Sequence, residues 1–339
     1  MPSFSTHVVT EIQSEREGLQ RVLLDSGRRA YVLTALIGPV AVGDDVVVNT
    51  TAVDLGLGTG GWDVVHWNLA RRDLVLPGAG HVMKLRYTPI QVDTGVVEEV
   101  EGYAAPPSLQ GLPVVVCALH SQLAGVAAGF AEGAPGCRLA FVMTDTAALP
   151  LALSDLVAGL RASGLLAATV SAGQAFGGDY EAVNPFSALD VATGPAAADA
   201  VVVGPGPGMV GTGTARGHGA LEGAGLVDLT VRAGATAIVA LRWSDKDPRQ
   251  RHRGLSHHST SVLELAAQPA LVPVPRGDPE PAPSIHRVVP VDVPDVVALM
   301  ARHGLDGVTT MGRPVADDPR FFAYAAAAGL LAASVASRR

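Results

Sequence analysis

The chain has 339 residues, of which 48% are hydrophobic, 17% are charged and only 4% are aromatic. This composition predicts a large aliphatic core and excludes a disordered protein, and the length suits two domains. The formal net charge of −8 argues against a general nucleic-acid binder, which usually carries a basic face.

Residues 1–105 contain short alternating or β-branched runs separated by turn residues, a pattern typical of a small sheet or barrel. The predicted strands cover residues 7–12, 20–24, 30–33, 45–49 and 83–91. The phrase GPVAVGDDVVVNTTA at residues 38–52 predicts a β-hairpin of this module. The chain start lacks the basic and apolar regions of a signal peptide, so we expect a cytoplasmic protein.

Residues 55–69 combine four glycines with Trp62 and Trp67. One interpretation is a wide turn followed by a strand whose aromatic side chains close the small core. The other is a flap over a ligand, with Asp63, His66 and Asn68 as its polar contacts. The sequence leaves both interpretations open.

Two prolines near residue 106 mark a boundary, which divides the chain into a β-rich domain at 1–105 and a second domain at 106–339. In the second domain, apolar runs predict strands at residues 113–119, 139–143, 166–170, 200–203 and 237–241. Helical patterns alternate with them at residues 122–132, 154–162, 184–191 and 220–232. The predicted fold class is therefore α/β, with a mainly parallel sheet flanked by helices and preceded by a small all-β, barrel-like domain.

The end of the chain continues this pattern after a proline-rich segment at residues 268–284, which we expect to lie on the surface. A further strand at 287–291 and a helix at 294–303 follow. The alanine-rich stretch at 321–337 is shorter than a membrane span and predicts a helix packed on the sheet. Both cysteines, Cys117 and Cys137, lack metal-site spacing, and we expect both to be buried.

Polar motifs follow each of five predicted strands. They begin at His120, at Thr144, at Ser171, at Gly204 and at Arg242, and the segment TTMGRP at 309–314 is a sixth candidate. The carboxyl ends of parallel strands lie at one edge of a sheet, where ligands bind. The sequence therefore predicts a site at this edge.

Charge and glycine content suggest an anionic ligand for that site. The loop after the fourth strand is rich in glycine and leads into a helix, whose first N–H groups attract anions. Residues 242–258 carry five basic side chains against two aspartates. The residues that we expect to bind the ligand are Gly204, Gly206, Gly208, Gly211, Thr212, Gly213, Gln174, Arg251, Arg253, Ser256 and His258.

Two phosphate motifs fit poorly. Residues 206–211 match the glycine spacing of a dinucleotide fingerprint, but the following strand ends at Leu241 and is followed by Arg242 instead of an acidic residue. No lysine follows the glycines, as a P-loop requires. The sequence therefore names no cofactor.

Catalytic candidates are His120, Asp145, Asp179 and His257, which could act as acid–base groups. Asp179 has a second interpretation as a helix N-cap. A metal could instead be bound by His257 or His258 together with His120, His218, Asp145 or Asp179, although no HxH or HExxH spacing supports this. Adjacent histidines point in different directions, so we expect at most one of His257 and His258 to be a ligand. The nucleophile motif GxSxG is absent from the sequence, which argues against an ordinary α/β hydrolase.

Several long phrases resemble the actinobacterial family catalogued as domain of unknown function 3866. Among them are HVMKLRYTP, GQAFGGDYEAVN, VVVGPGPGMVGTGT, PRQRHRGLSHH and TTMGRPVADDP. The resemblance implies a cytoplasmic protein of this architecture and brings no activity with it.

The resulting hypothesis is a protein that binds a small phosphate- or carboxylate-bearing molecule, with histidine acid–base chemistry if it is an enzyme. The alternative is a non-catalytic sensor or scaffold. We expect no nucleic-acid or membrane partner, and the sequence leaves a homo-oligomer and a metal open.

Overall fold

The computed structural model describes residues 2–78 and 80–338 and divides the chain into two compact units, Met1–Gly95 and Val96–Arg339. We call them the barrel unit and the α/β unit. Each has its own hydrophobic core.

The barrel unit is a closed barrel with the strand order β1-β2-β3-β5-β4. Its elements are β1 (Phe4–Arg16), β2 (Leu19–Leu24), β3 (Arg29–Leu33), α1 (Thr34–Ile37), β4 (Asp45–Asn49), α2 (Thr51–Asp54) and β5 (Trp62–Asn68). Alternate residues such as Val22, Val32 and Val46 point inward and are fully buried. The alternation in the sequence thus produces the barrel core.

Three predictions for this unit have different outcomes. The strand interpretation of residues 55–69 is right, because β5 closes the barrel and Asp63 and Asn68 bond to Arg28 and Asp44. The predicted hairpin at 38–52 is wrong, because β4 pairs with β1 and β5. The predicted strand at 83–91 is also wrong. Only β6 (Met83–Lys84) pairs there, with β7 (Val92–Asp93), since Leu85 and Tyr87 adopt positive φ angles.

The α/β unit contains an eight-stranded parallel sheet in the described residues, with the order β11-β10-β9-β12-β8-β13-β16-β17. Its first half comprises β8 (Pro113–Cys117), α3 (Gln122–Gly133), β9 (Leu139–Thr144), α4 (Asp155–Ala162), β10 (Ala168–Ala172), β11 (Tyr180–Ala182), α5 (Pro185–Thr193) and β12 (Ala200–Pro205).

The second half comprises α6 (Glu222–Arg232), β13 (Thr236–Ala240), β14 (Trp243–Ser244), β15 (Gly254–Leu255), α7 (His257–Leu265), β16 (Leu271–Pro275), β17 (Arg287–Val291), α8 (Val296–Arg302), β18 (Thr309–Thr310), β19 (Arg313–Pro314) and α9 (Pro319–Ala336). Short antiparallel pairs join β14 to β15 and β18 to β19. The predicted α/β fold class is confirmed. The prediction of a surface segment at 268–284 is wrong for β16, which is mostly buried and lies between β13 and β17.

Helices cover both faces of this sheet, so alternate residues of a strand enter different cores. Val115 and Cys117 of β8 pack with α3, α8 and α9, whereas Val114 and Val116 pack with α5, α6 and α7. The strands are therefore continuous apolar runs, as the sequence shows. Of the cysteines, Cys117 is buried as expected, but Cys137 is exposed, so that prediction is wrong for Cys137.

The C-terminal helix α9 packs against α3 and the sheet. It is long and apolar enough to cross a membrane by length and composition alone, but 56% of it is buried inside the fold. Gly129 and Gly329 bring the two helices together, because a Cβ at either position would overlap the backbone of the other helix. We therefore interpret α9 as a core helix.

Candidate functional site

At the carboxyl edge of the sheet, two adjacent strands, β8 and β12, are followed by helices on opposite faces of the sheet. The loop after β8 leads to α3 on one face, and the loop after the adjacent β12 leads to α6 on the other. Such a reversal opens a crevice between two loops, which is where open α/β sheets bind ligands. The predicted convergence of strand ends at one edge therefore agrees with the observed topology.

The glycine-rich loop after β12 folds back on itself. Gly211 and His218 form an antiparallel bridge, and the backbone N–H groups of Thr212 and Gly219 donate within the loop, to Gly217 and Val210. The first residue of α6, Glu222, accepts a hydrogen bond from Thr144 at 2.7 Å. The loop thus positions His218, while a carboxyl group occupies the start of α6.

The start of α7 lies beside the glycine-rich loop, on the same face of the sheet as α6. Ser256 is its N-cap, and its Oγ accepts a hydrogen bond from the His258 N–H at 3.2 Å. The same Oγ lies 2.7 Å from Nδ1 of His252. The cap therefore fixes the first turn of α7, which begins with His257 and His258.

Four imidazole rings meet where these two segments come together. We call His218, His252, His257 and His258 the histidine cluster. The rings of His218 and His258 stack with centroids 4.2 Å apart, and the His257 centroid lies 4.5 Å from that of His258. His252 lies 4.7 Å from His258. A Cβ on Gly211 would lie 3.6 Å from His258 Nε2, so the glycine gives the loop close access to the cluster.

Burial disfavours the charged form of all four rings in the cluster. Burial lowers the pKa of all four, and it lowers that of His252 to about 3. The neighbouring guanidinium of Arg242 also lowers the pKa of His252, His257 and His258. A neutral imidazole offers one nitrogen lone pair, which can accept a proton or bind a metal.

Beside the cluster lies an ionic group that we call the arginine network. It consists of the buried residues Arg242, Asp247 and Asp318 and the partly exposed Arg249 and Arg313. Asp247 accepts hydrogen bonds from Arg242 at 3.0 Å and from Arg249 at 2.9 Å. Asp318 accepts one from Arg313 at 3.0 Å. Burial opposes ionisation of Asp247, but the hydrogen bonds and charge of Arg249 hold its pKa well below the usual range.

The segment at 309–314 does join this edge. Ser121 Oγ lies 3.1 Å from Thr310 Oγ1, which connects the loop after β8 to β18. Arg313 of β19 lies 3.8 Å from Asp247. The sixth candidate segment therefore contacts two of the five strand-end loops.

His120 has a different environment from the cluster. Its Nδ1 lies 3.0 Å from the carbonyl of Pro205, and its Nε2 lies 2.6 Å from Ser154 Oγ. Ser154 is also the N-cap of α4. Burial lowers the pKa of His120 to about 4. Both ring nitrogens thus have protein partners, and the ring connects β12 to α4.

The two aspartate candidates lie in separate places. Asp145 is exposed after β9, and its carboxylate accepts the backbone N–H of Gln174 at 2.9 Å. Asp179 bonds to the backbone N–H of Thr169 at 2.8 Å and pairs with Arg161. Because Thr169 is the second residue of β10, Asp179 lies away from the carboxyl edge. It is not the N-cap of α5, since Asn184 has that role.

The remaining predicted ligand residues fall into two groups. Packing explains why positions 204 and 206 are glycine, because a Cβ there would collide with the carbonyl oxygens of Cys117 and Ala148. Gly208 adopts a positive φ of 83°, and Gly213 lies in the exposed loop. Arg251 and Arg253 are exposed, and neither has an ion-pair partner within the described parts of the chain. The charge of Arg251 acts on His257.

The structure also reveals groups that were not predicted as site residues. They are His252, Arg242, Asp247 and Glu222, and His218 was considered only as a possible metal ligand. The charge-rich run at 242–258 contained a signal for three of them. Glu222 had no such signal. Burial raises the pKa of its carboxyl group, although hydrogen bonds from Thr146 and Thr144 oppose this.

Fold and site together define an α/β protein with a buried histidine and arginine centre at the carboxyl edge of its sheet. The chain belongs to a family of proteins of unknown function, DUF3866, whose model matches residues 29–329. No match was found among curated proteins.

Proposed function

We propose that the α/β unit binds a small anion, a phosphate- or carboxylate-bearing molecule, between the histidine cluster and the turn that carries Arg251 and Arg253. The observation that carries this proposal is a charge imbalance. In the arginine network, three guanidinium groups share two carboxylates.

The imbalance is not relieved by the histidines. They stay neutral at physiological pH because burial lowers their pKa values. Positive charge in a partly dehydrated site attracts an anion strongly, because the local dielectric constant is lower than that of water.

Exposed arginines extend this positive region to solvent. Arg251 and Arg253 flank buried His252 in the same turn. A guanidinium can donate two parallel hydrogen bonds to a phosphate or carboxylate, which gives orientation as well as affinity. These two side chains are therefore the proposed first contacts of the anion.

The proposal concerns binding, and two functions can follow from it. An enzyme would convert a bound compound with a rate that depends on neutral His257 acting as a base. A sensor would show saturable binding without turnover.

Isothermal titration with inorganic phosphate tests the proposal. Each of Arg251→Ala and Arg253→Ala should weaken binding at least about tenfold, because a hydrogen bond to a charged group contributes about 1.5–3 kcal/mol. The double variant should bind no measurable phosphate. A matched control is Arg276→Ala, an exposed arginine that pairs with Asp292. The proposal fails if the double variant binds phosphate as the control does.

A further inference from the structure

We infer that His218, His257 and His258 form a binding site for a divalent transition metal ion of the zinc class. The site goes beyond the proposed anion binding and stands on its own observations. Its three residues come from two segments that are 39 or more positions apart in the sequence, the end of the glycine-rich loop and the start of α7.

The first observation is distance. One ring nitrogen from each of the three histidines lies within 4.8 Å of the other two. Nitrogens that share a tetrahedral zinc ion lie about 3.4 Å apart, since the zinc–nitrogen bond is about 2.0–2.1 Å. Binding of the ion requires the side chains to rotate until the three nitrogens reach that spacing, and it separates the stacked rings of His218 and His258.

The second observation is the state of two ring nitrogens. His218 Nδ1 and His257 Nε2 are buried and have no hydrogen-bond partner among the described residues. Buried polar atoms are rarely left in this state, because the lost contact with water is not repaid. A metal ion would satisfy both atoms at once.

The orientation of His218 supports its role as a ligand. Its Nε2 lies 3.1 Å from the carbonyl oxygen of Ala215, so Nε2 carries the proton and donates. The lone pair therefore sits on Nδ1, the buried atom without a partner. Histidine ligands of metals usually donate their other N–H to a carbonyl or carboxylate in this way.

His258 is the third ligand and requires one change. Its Nδ1 lies 3.2 Å from Arg242 Nη1, and since a guanidinium only donates, this nitrogen accepts and Nε2 holds the proton. Coordination through Nε2 moves that proton to Nδ1 and ends the hydrogen bond. Arg242 keeps its ion pair with Asp247, and its Nη1 becomes available to an anion.

The ligand set defines the class of metal. Three neutral imidazoles suit zinc, cobalt, nickel and copper, whereas magnesium and calcium require oxygen ligands. Three protein ligands leave a coordination position open, as in catalytic zinc sites. An anion held by Arg251 could occupy that position, and this last step alone rests on the proposed function.

The test uses the full chain, freed of metal by a chelator and then incubated with zinc. We expect one zinc ion per chain after gel filtration, and cobalt should give the visible absorption of a tetrahedral site. His218→Ala and His257→Ala should each weaken zinc binding at least about tenfold, the lower end of the loss seen when even a supporting group is removed. The control is His303→Ala, which lies beside Glu132 on the same unit.

Zinc that does not bind the wild-type chain, or that binds both variants as it binds the control, would overturn the inference. Should the variants fail to fold, the imidazole nitrogen resonances of the wild-type chain decide, because zinc must shift those of His218 and His257. Phosphate titration of the metal-free protein separates the two claims. Phosphate binding without zinc binding refutes only the metal site, and zinc binding without phosphate binding refutes only the anion site.

Discussion

His120 and His257 lie in the segments that follow two neighbouring strands, β8 and β13, yet their surroundings differ. Burial lowers the pKa of both rings. Pro205 and Ser154 bond to the two ring nitrogens of His120, whereas Nε2 of His257 has no partner in the described structure. A low pKa therefore marks burial and does not by itself mark a ligand site.

The difference separates structural groups from groups that can bind something. His120 uses its full hydrogen-bonding capacity to connect β12 to α4, so a ligand would have to displace protein contacts. His218 and His257 lose nothing when they bind a metal or a proton donor. Measurements of stability can test this distinction.

The largest effect is expected from Asp247→Asn, because the Asp247 carboxylate is fully buried and accepts hydrogen bonds from two arginines. The change removes the charge that faces Arg242 and Arg249 in a buried site, and breaking such a pair costs about 3–5 kcal/mol of unfolding free energy. Urea denaturation measures it. Asp292→Asn, at an exposed pair with Arg276, is the control and should change little. Equal effects of the two substitutions would contradict the account of the network.

A smaller loss of unfolding free energy is expected when the pH is lowered. The pKa of His120 is lowered to about 4 and that of His252 to about 3, against about 6.5 for an unfolded histidine. As the pH falls below 6.5, the unfolded chain binds protons first, so this contribution to stability is present above pH 6.5 and lost below it. When the pH falls from 7 to 5, each of the two rings should lower the unfolding free energy by roughly 1–2 kcal/mol. A urea midpoint that stays constant over this interval would show that the rings are not held neutral.

The smallest effects compare the two histidines directly. His120→Leu leaves Ser154 and Pro205 without their partner and should lower the unfolding free energy by about 1–3 kcal/mol. His257→Ala removes a ring whose Nε2 has no partner and leaves no protein group without a hydrogen bond to it, so the loss in metal-free protein should be smaller than that of His120→Leu. Thermal or urea unfolding gives both values. The distinction is lost if His257→Ala costs as much as His120→Leu.

Much of the fold could be predicted because the apolar runs at β8, β9, β10, β12 and β13 are short, continuous and bounded by polar loops. The strand β16 was missed because its sequence, LVPVP, lies in a proline-rich stretch that resembles a surface loop. Its pairing depends on neighbours that are distant in sequence. The prediction of a strand at 83–91 was wrong for the opposite reason. Its β-branched and aromatic residues are typical of a strand, but Leu85 and Tyr87 adopt positive φ angles.

The sequence predicted at which edge of the sheet the polar segments meet better than it predicted which residues form the cluster there. The rule that parallel strands end at one edge predicted which polar segments lie together, but it could not tell which polar groups already have hydrogen-bond partners. His218 approaches His257 and His258 only because the glycine-rich loop folds back at Gly211. Asp179 lies away from the edge because it precedes β11, whose first residue, Tyr180, pairs with Val170 in the middle of β10. Both facts depend on tertiary packing.

The central claim is that the binding centre lies at the histidine cluster and not around His120 and Asp145. Crystals soaked with zinc and phosphate, measured at the zinc absorption edge, test it most directly. The account predicts one anomalous peak bonded to His218 Nδ1 and His257 Nε2, with phosphate beside it and near Arg251. A peak or a phosphate at His120, Asp145 or Gln174, with none at the cluster, would contradict it.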